Sequence, residues 1–159
     1  RHPIDIAVSW YFQVTRRQSQ AKFELINHAI RHPIDRTTIQ MWDFVRHSDI
    51  GLLSLIDYLN HWEEAIRHLP RAIRVRYEDL RADPAHELRR IGELMGERFS
   101  EGEIAEAVAF LRAKLLGWGF DYFTPEQVAE LEALVAERLA PSLGYTPGRS
   151  VQAPIAAAG

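Results

Sequence analysis

The sequence predicts an α/β fold, represented here by a mostly helical chain with about one strand. Two adjacent patterns carry that class. Leu52, Leu53, Leu55, Ile56, Leu59, Trp62, Ile66 and Leu69 recur three and four apart, as on the buried stripe of a long helix. From Ala72 to Tyr77, Ile73, Val75 and Tyr77 alternate with Arg74 and Arg76, the period of a half-covered strand. A lone strand cannot satisfy its own backbone N–H and C=O groups. Either its sheet partners lie upstream of Arg1 or it pairs poorly, and the first alternative makes this chain the C-terminal portion of a larger domain.

Taken in order, Arg1-His2-Pro3-Ile4-Asp5-Ile6-Ala7-Val8-Ser9 reads as a loop feeding a helix. Asp5 is the expected N-cap, Pro3 stiffens the approach, and Ile6, Ala7, Val8, Trp10, Tyr11, Phe12 and Val14 suit a helix buried on most sides. That helix is expected to continue from Gln13 to about Arg31 through Arg16, Arg17, Lys22, Phe23, Leu25, Ile26, Ala29 and Ile30, and Pro33 stops it. Arg31-His32-Pro33-Ile34-Asp35 repeats the first five residues letter for letter. No apolar helix follows it, and Ile39 stands where the first copy has Ser9, so the copy is read as coincidence. Glu24, His28 and His32 at i, i+4 and i+8 could share a helical face and chelate a metal. With no fourth ligand and Pro33 adjacent, a solvated polar face is preferred.

Met41 to Ser48 predicts one or two helical turns, and the amphipathic helix beginning near Leu52 ends near Pro70. Asp83 is an N-cap with Pro84 at the first helical position, and Gly96 closes the stripe of Leu88, Ile91, Leu94 and Met95. Ser100 with Glu103, then Thr124 with Gln127, form capping boxes for two further helices, the second running to Pro141. One sulfur-free domain portion is expected over 1–145, followed by a Pro/Gly/Ala-rich tail over 146–159 expected to be disordered.

With 159 residues, 47% of them hydrophobic, the chain can build one core. Its net charge of −3 argues against a general nucleic-acid binder, which would carry a basic excess, but allows a local basic pocket for one small anion. The absence of cysteine excludes disulfides, thiolate metal sites and a cysteine nucleophile. There is no membrane segment of the roughly 20 apolar residues required and no leader pattern, and a cytoplasmic location is expected.

Self-contained catalytic motifs are missing. No glycine precedes Gly51, no G-x-x-x-x-G-K-[ST] or H-E-x-x-H occurs, and Ser9 lacks a G-x-S-x-G context. The carboxylates of Glu63-Glu64 and Glu78-Asp79 are sequence neighbours and face apart. What remains is a distributed site. Arg1, Ser9 and a helix N-terminus could hold a phosphate, against the plainer reading of a capped core helix beside a solvated arginine. Tyr77, at the carboxyl end of the expected strand, could meet a flat ring or equally pack in a core.

Three separated motifs resemble one family. Arg1-His2-Pro3-Ile4-Asp5-Ile6-Ala7-Val8-Ser9-Trp10-Tyr11 is similar to the R-[ND]-P-x-D-x-A-V-S-x-[YF] signature of the sulfotransferases that use 3′-phosphoadenosine 5′-phosphosulfate (PAPS). Arg76-Tyr77-Glu78-Asp79-Leu80 with Asp83-Pro84 resembles that family's R-Y-E-D-L-x-x-D-P. Gly117-Trp118 and Phe123-Thr124-Pro125-Glu126-Gln127 resemble its V-G-D-W-x-x-x-F-T-P-E-Q segment. The motifs keep the family's order and cover the chain from Arg1 to about Tyr145.

The resemblance implies a P-loop-NTPase-like sulfotransferase fold, PAPS as cofactor, and sulfuryl transfer to a hydroxyl or amine of a small-molecule acceptor. It implies that Arg1 and Ser9 bind the 3′-phosphate and that Tyr77 contacts the adenine. The family's late R-[KR]-G triplet falls on Arg112-Ala113-Lys114, a partial match in which Arg112 is kept as a phosphate ligand. In the family the 5′-phosphosulfate loop, P-K-[SA]-G-[TS]-[TS], and the usual catalytic histidine lie upstream of the first signature, and nothing here matches them. The expectation is therefore a cofactor-binding portion without a catalytic residue of its own, inactive alone and completed by the N-terminal half of the same domain. The alternative is a degenerate, non-catalytic helical module that packs against a partner.

Overall fold

Proline at a first helical position decides where the chain's first helix begins. In the computed structural model, which describes residues 1–114 (side chains through Leu111) and 122–145, helix α1 spans Pro3–Phe12. Its N-cap is His2, whose Nδ1 accepts the Ile4 N–H at 3.3 Å. Asp5, the expected N-cap, instead lies inside the first turn. The fixed φ of Pro3 suits the first helical position, so the boundary falls before it.

The expected continuation to Arg31 is also broken. After α1 the backbone widens into a π-helical segment, Gln13–Arg17, in which the Gln18 N–H reaches back to the Gln13 carbonyl at 2.9 Å. Gln18 is extended, and Ser19 caps a new helix, α2 (Gln20–Ala29), by accepting the Lys22 N–H at 3.4 Å. This change of course brings Val14 and Phe23 into one buried cluster with Ile34, Phe44 and Ile50. Burial of that apolar surface offsets the poorer hydrogen bonding of the wide turn.

Beyond α2 come α3 (Met41–Arg46), α4 (Leu52–Arg67), α5 (Tyr77–Ala82), α6 (Pro84–Met95), α7 (Glu101–Lys114) and α8 (Pro125–Arg138), closed by a 3₁₀ turn at Pro141–Leu143. No strand occurs among the described residues. Residues 72–76 are irregular with Ile73 and Val75 half-buried, Arg76 is extended, and Tyr77 opens α5 rather than ending a strand. The alternation survives in burial but not as a ladder, because a strand exists only through a neighbouring strand.

The local cap signals are all in place. Asp83 accepts the His86 N–H at 3.0 Å, Gly96 takes the left-handed conformation with φ 80°, and Ser100 with Glu103 and Thr124 with Gln127 form reciprocal capping boxes. The tail over 146–159 lies outside the described residues.

The chain divides into two units: one holds Arg1 with Glu64–Trp118, the other His2–Glu63 with Gly119–Gly159. In the second unit, Ile4 and Ala7 of α1 meet Val45, Leu52, Ile56, Leu131 and Val135 in the larger of two cores. Its irregular 31–35 segment is pinned by Asp49, which accepts the backbone N–H groups of Arg31 (2.9 Å) and His32 (3.0 Å). Burial opposes ionisation of Asp49. The hydrogen bonds from the His32 backbone and ring, the Arg31 backbone and the Ser48 hydroxyl outweigh it and lower the carboxyl to about 2.

In the first unit α6 packs on α5 and α7. Gly92 lies so close to Phe99 that an added Cβ would stand 2.9 Å from the ring. Arg89 bridges to Glu101 at 2.8 Å, and Arg90 to the buried Glu87 at 2.6 Å.

Candidate functional site

The site is built at the start of α5. Extended Arg76 ends the irregular run, and Glu78 and Asp79 stand in the first turn, where carboxylates oppose the positive end of the helix dipole. Arg76 Nε lies 3.7 Å from Asp79 Oδ2. On this turn Tyr77 presents its ring to Arg1, whose guanidinium carbon is 5.0 Å from the ring centroid. The Arg1 backbone nitrogen lies 3.7 Å from Glu78 Oε2, and its side chain is only 20% exposed. Arg1 Nε and Nη2 and Arg76 Nε are all buried atoms.

Two residues from motifs 76 positions apart thus meet within one unit. A guanidinium withdrawn from water interacts more strongly with an aromatic face than an exposed one does. It also keeps its planar fork of donors, which matches the geometry of a phosphate. The tyrosine ring offers a flat apolar surface of the kind a purine stacks on.

Ser9 belongs to the other unit. It is the seventh residue of α1 and half-buried, and its carbonyl accepts the Gln13 N–H. Ile4, Ala7 and Val8 are buried in that helix, while Asp5 and Ser9, four apart, share a different face. The α1 terminus supplies less to an anion than its sequence suggests. Pro3 has no N–H, the Ile4 N–H is taken by His2, and the Asp5 carboxylate stands in the same turn. Side chains, rather than backbone amides, are the available anion donors at this end.

Arg112 lies on α7, but its side chain is outside the described residues, as are Gly117 and Trp118. Glu24, His28 and His32 do not form one helical face, because His32 lies beyond the end of α2 and faces Asp49 at 3.2 Å, while Glu24 accepts the Gln20 amide at 2.8 Å. Among the described residues no group of three His, Cys, Asp or Glu side chains is placed to hold a metal ion. The contribution of Glu78 beside Arg1 was not anticipated, although its place next to Tyr77 was the available signal.

The family described as the sulfotransferase domain matches residues 1–114, a stretch that contains both Arg1 and Tyr77. The chain belongs to the sulfotransferase family. No curated protein matches it, and no solved structure does. Membership places the chain among transferases of the sulfuryl group, and the family match takes in α1 through α7. Among the described residues no helix is long and apolar enough to cross a membrane. For a 3′-phosphoadenosine group, the donor set of this sulfotransferase chain fits at Arg1 and Tyr77, a buried guanidinium for the phosphate and an aromatic face for the base.

Proposed function

We propose that this chain binds the 3′-phosphoadenosine end of PAPS in a sulfotransferase of P-loop-NTPase-like fold that acts on a hydroxyl or amine of a small-molecule acceptor. The observation that supports it best is the Arg1 guanidinium 5.0 Å above the Tyr77 ring, which joins two of the family's motifs at one place. Arg1 offers its fork of N–H donors to the 3′-phosphate, and Tyr77 offers its ring to the adenine. Ser9 and Arg112 are assigned to the nucleotide by their places in the motifs.

When bound, PAPS supplies a sulfuryl group activated by its anhydride link to phosphate. The residues of this chain hold the end of the molecule remote from sulfur, so their binding energy serves positioning. The 5′-phosphosulfate loop and the base that deprotonates the acceptor match nothing in the 159 residues, and both are assigned to the N-terminal half of the same domain. The chain by itself is expected to bind nucleotide without turnover.

Calorimetric titration with 3′-phosphoadenosine 5′-phosphate, and with adenosine 5′-phosphate as the analogue lacking the 3′-phosphate, tests the reading. Arg1→Ala is expected to weaken the first by roughly 1.5–3 kcal/mol, the range for a charge-assisted hydrogen bond, and to leave the second almost unchanged. Equal affinity of the wild-type chain for the two nucleotides, or no effect of Arg1→Ala, overturns it.

A further inference from the structure

Many arginines of this protein lie against carboxylates, as Arg46 does on Glu130 and Arg89 on Glu101. Arg16 and Arg36 are held in another way. The Arg16 guanidinium sits 4.8 Å over the Phe12 ring, and that of Arg36 sits 5.0 Å over Phe23 while donating to the Gln18 carbonyl at 3.1 Å. Among the described residues neither is paired with a carboxylate. Ring stacking fixes a guanidinium while leaving its N–H edge available, so both are pre-organised cations with their charge uncompensated.

They also lie close together. Arg16 is in the π-helical segment, and Gln18, which anchors Arg36, is two residues on, so the two backbone positions are within about 7 Å. Lys22 follows in the first turn of α2, a turn without an acidic residue. Residues 13–37 carry five cations (Arg16, Arg17, Lys22, Arg31 and Arg36) against two carboxylates (Glu24 and Asp35), in a chain of net charge −3. Both carboxylates are engaged locally, Glu24 by Gln20 and Asp35 by the Thr37 N–H and hydroxyl at 2.8 and 2.7 Å.

We propose that this surface binds an acidic oligosaccharide, with successive sulfate or carboxylate groups at Arg36 and Arg16. Two fixed cations on neighbouring positions suit anions repeated along a chain better than a single phosphate. Overall negative charge disfavours the dense phosphate array of nucleic acid. A carbohydrate chain also presents hydroxyls beside its anions, which is the acceptor chemistry of sulfuryl transfer. Its role as acceptor rests on the function proposed above, whereas the binding itself does not.

The test is calorimetric titration of the 159-residue chain with a heparin hexasaccharide at low ionic strength. The Arg16→Gln/Arg36→Gln double variant is expected to bind about tenfold more weakly, as for two partly exposed charge-assisted contacts. Arg46→Gln/Arg89→Gln removes the same two charges from carboxylate-paired sites and is expected to change affinity less than about twofold. Arg36→Gln alters the cover over Phe23, so exposed Arg16→Gln alone serves as the second variant, with an expected loss of about threefold.

No binding by the wild type, equal loss in the control pair, or no loss in Arg16→Gln overturns the proposal. So does equal affinity for a short DNA duplex or for phosphatidylserine vesicles. Titration with 3′-phosphoadenosine 5′-phosphate runs in parallel. Its failure removes the nucleotide reading and leaves the saccharide result standing, and its success with unchanged affinity in the double variant separates the two sites.

Discussion

Arg1 and Tyr77, from opposite ends of the first unit's sequence, face each other with 5.0 Å between guanidinium carbon and ring centroid. One face of the tyrosine is therefore covered by a cation, and a stacked adenine must use the other face or displace the arginine. Tyr77→Phe keeps the ring and is expected to leave affinity for 3′-phosphoadenosine 5′-phosphate within about twofold. Tyr77→Ala is expected to cost about 1–2 kcal/mol in the same calorimetric titration. Equal losses in the two variants would assign the contribution to the hydroxyl and not to the ring.

Asp49 should govern acid sensitivity in the other unit. Its carboxyl titrates at about 2 in the folded chain, against an ordinary value of 3.8. A depressed folded value means that its contribution is fully present above about pH 4 and is lost as pH falls through about 2. Asp49→Asn should lower the melting temperature at neutral pH, and the gap from wild type should narrow as melts are recorded from about pH 4 down to 2. A gap independent of pH would show that the charge is not what holds Arg31 and His32.

Gly51 stands where no side chain fits. A Cβ there would overlap the Val45 carbonyl oxygen and lie 2.5 Å from the His47 carbonyl oxygen and 2.8 Å from its nitrogen. These are backbone atoms of the turn leading into α4, so relief requires moving the chain. Gly51→Ala is expected to cost about 1–3 kcal/mol in urea denaturation. Gly96→Ala meets nothing within 4 Å and is strained only by its φ of 80°, at about 1 kcal/mol.

The box at the start of α8 supports a helix that contributes Leu131, Val135 and Leu139 to the larger core. Thr124→Ala removes the acceptor for the Gln127 N–H at 3.3 Å, while the Thr124 N–H can still reach the Gln127 side chain at 3.0 Å. The expected loss is about 0.5–2 kcal/mol by thermal or chemical denaturation. Thr124→Ser, which keeps the oxygen, should recover most of it.

The parts of the fold legible in the sequence are those decided within a few residues. Asp83-Pro84, Ser100 with Glu103, Thr124 with Gln127, and Gly96 each act on their own helix terminus, and each stands where its chemistry places it. Even the start of α1 carried a usable signal, since proline at the first helical position makes His2 the cap in place of Asp5. Ser19, the cap of α2, was also visible but was masked by the apolar pattern running on from α1. What escaped depends on distant partners. The Asp49 bonds span 17 and 18 residues, and the π-helical turn follows from packing Val14 and Phe23 together. At the candidate site, Arg1 and Tyr77 were both named from the motifs, but their contact with each other was not.

The two Arg-His-Pro-Ile-Asp copies end in different surroundings. In the first, His2, Pro3 and Ile4 are buried at the start of α1; in the second, Arg31, His32, Pro33 and Asp35 are exposed. An antibody raised against that pentapeptide would find one epitope on the native protein, at 31–35, and a second only after unfolding. The number of antibody molecules bound would then count folded chains against unfolded ones, from a duplicated word that the fold reads in two ways.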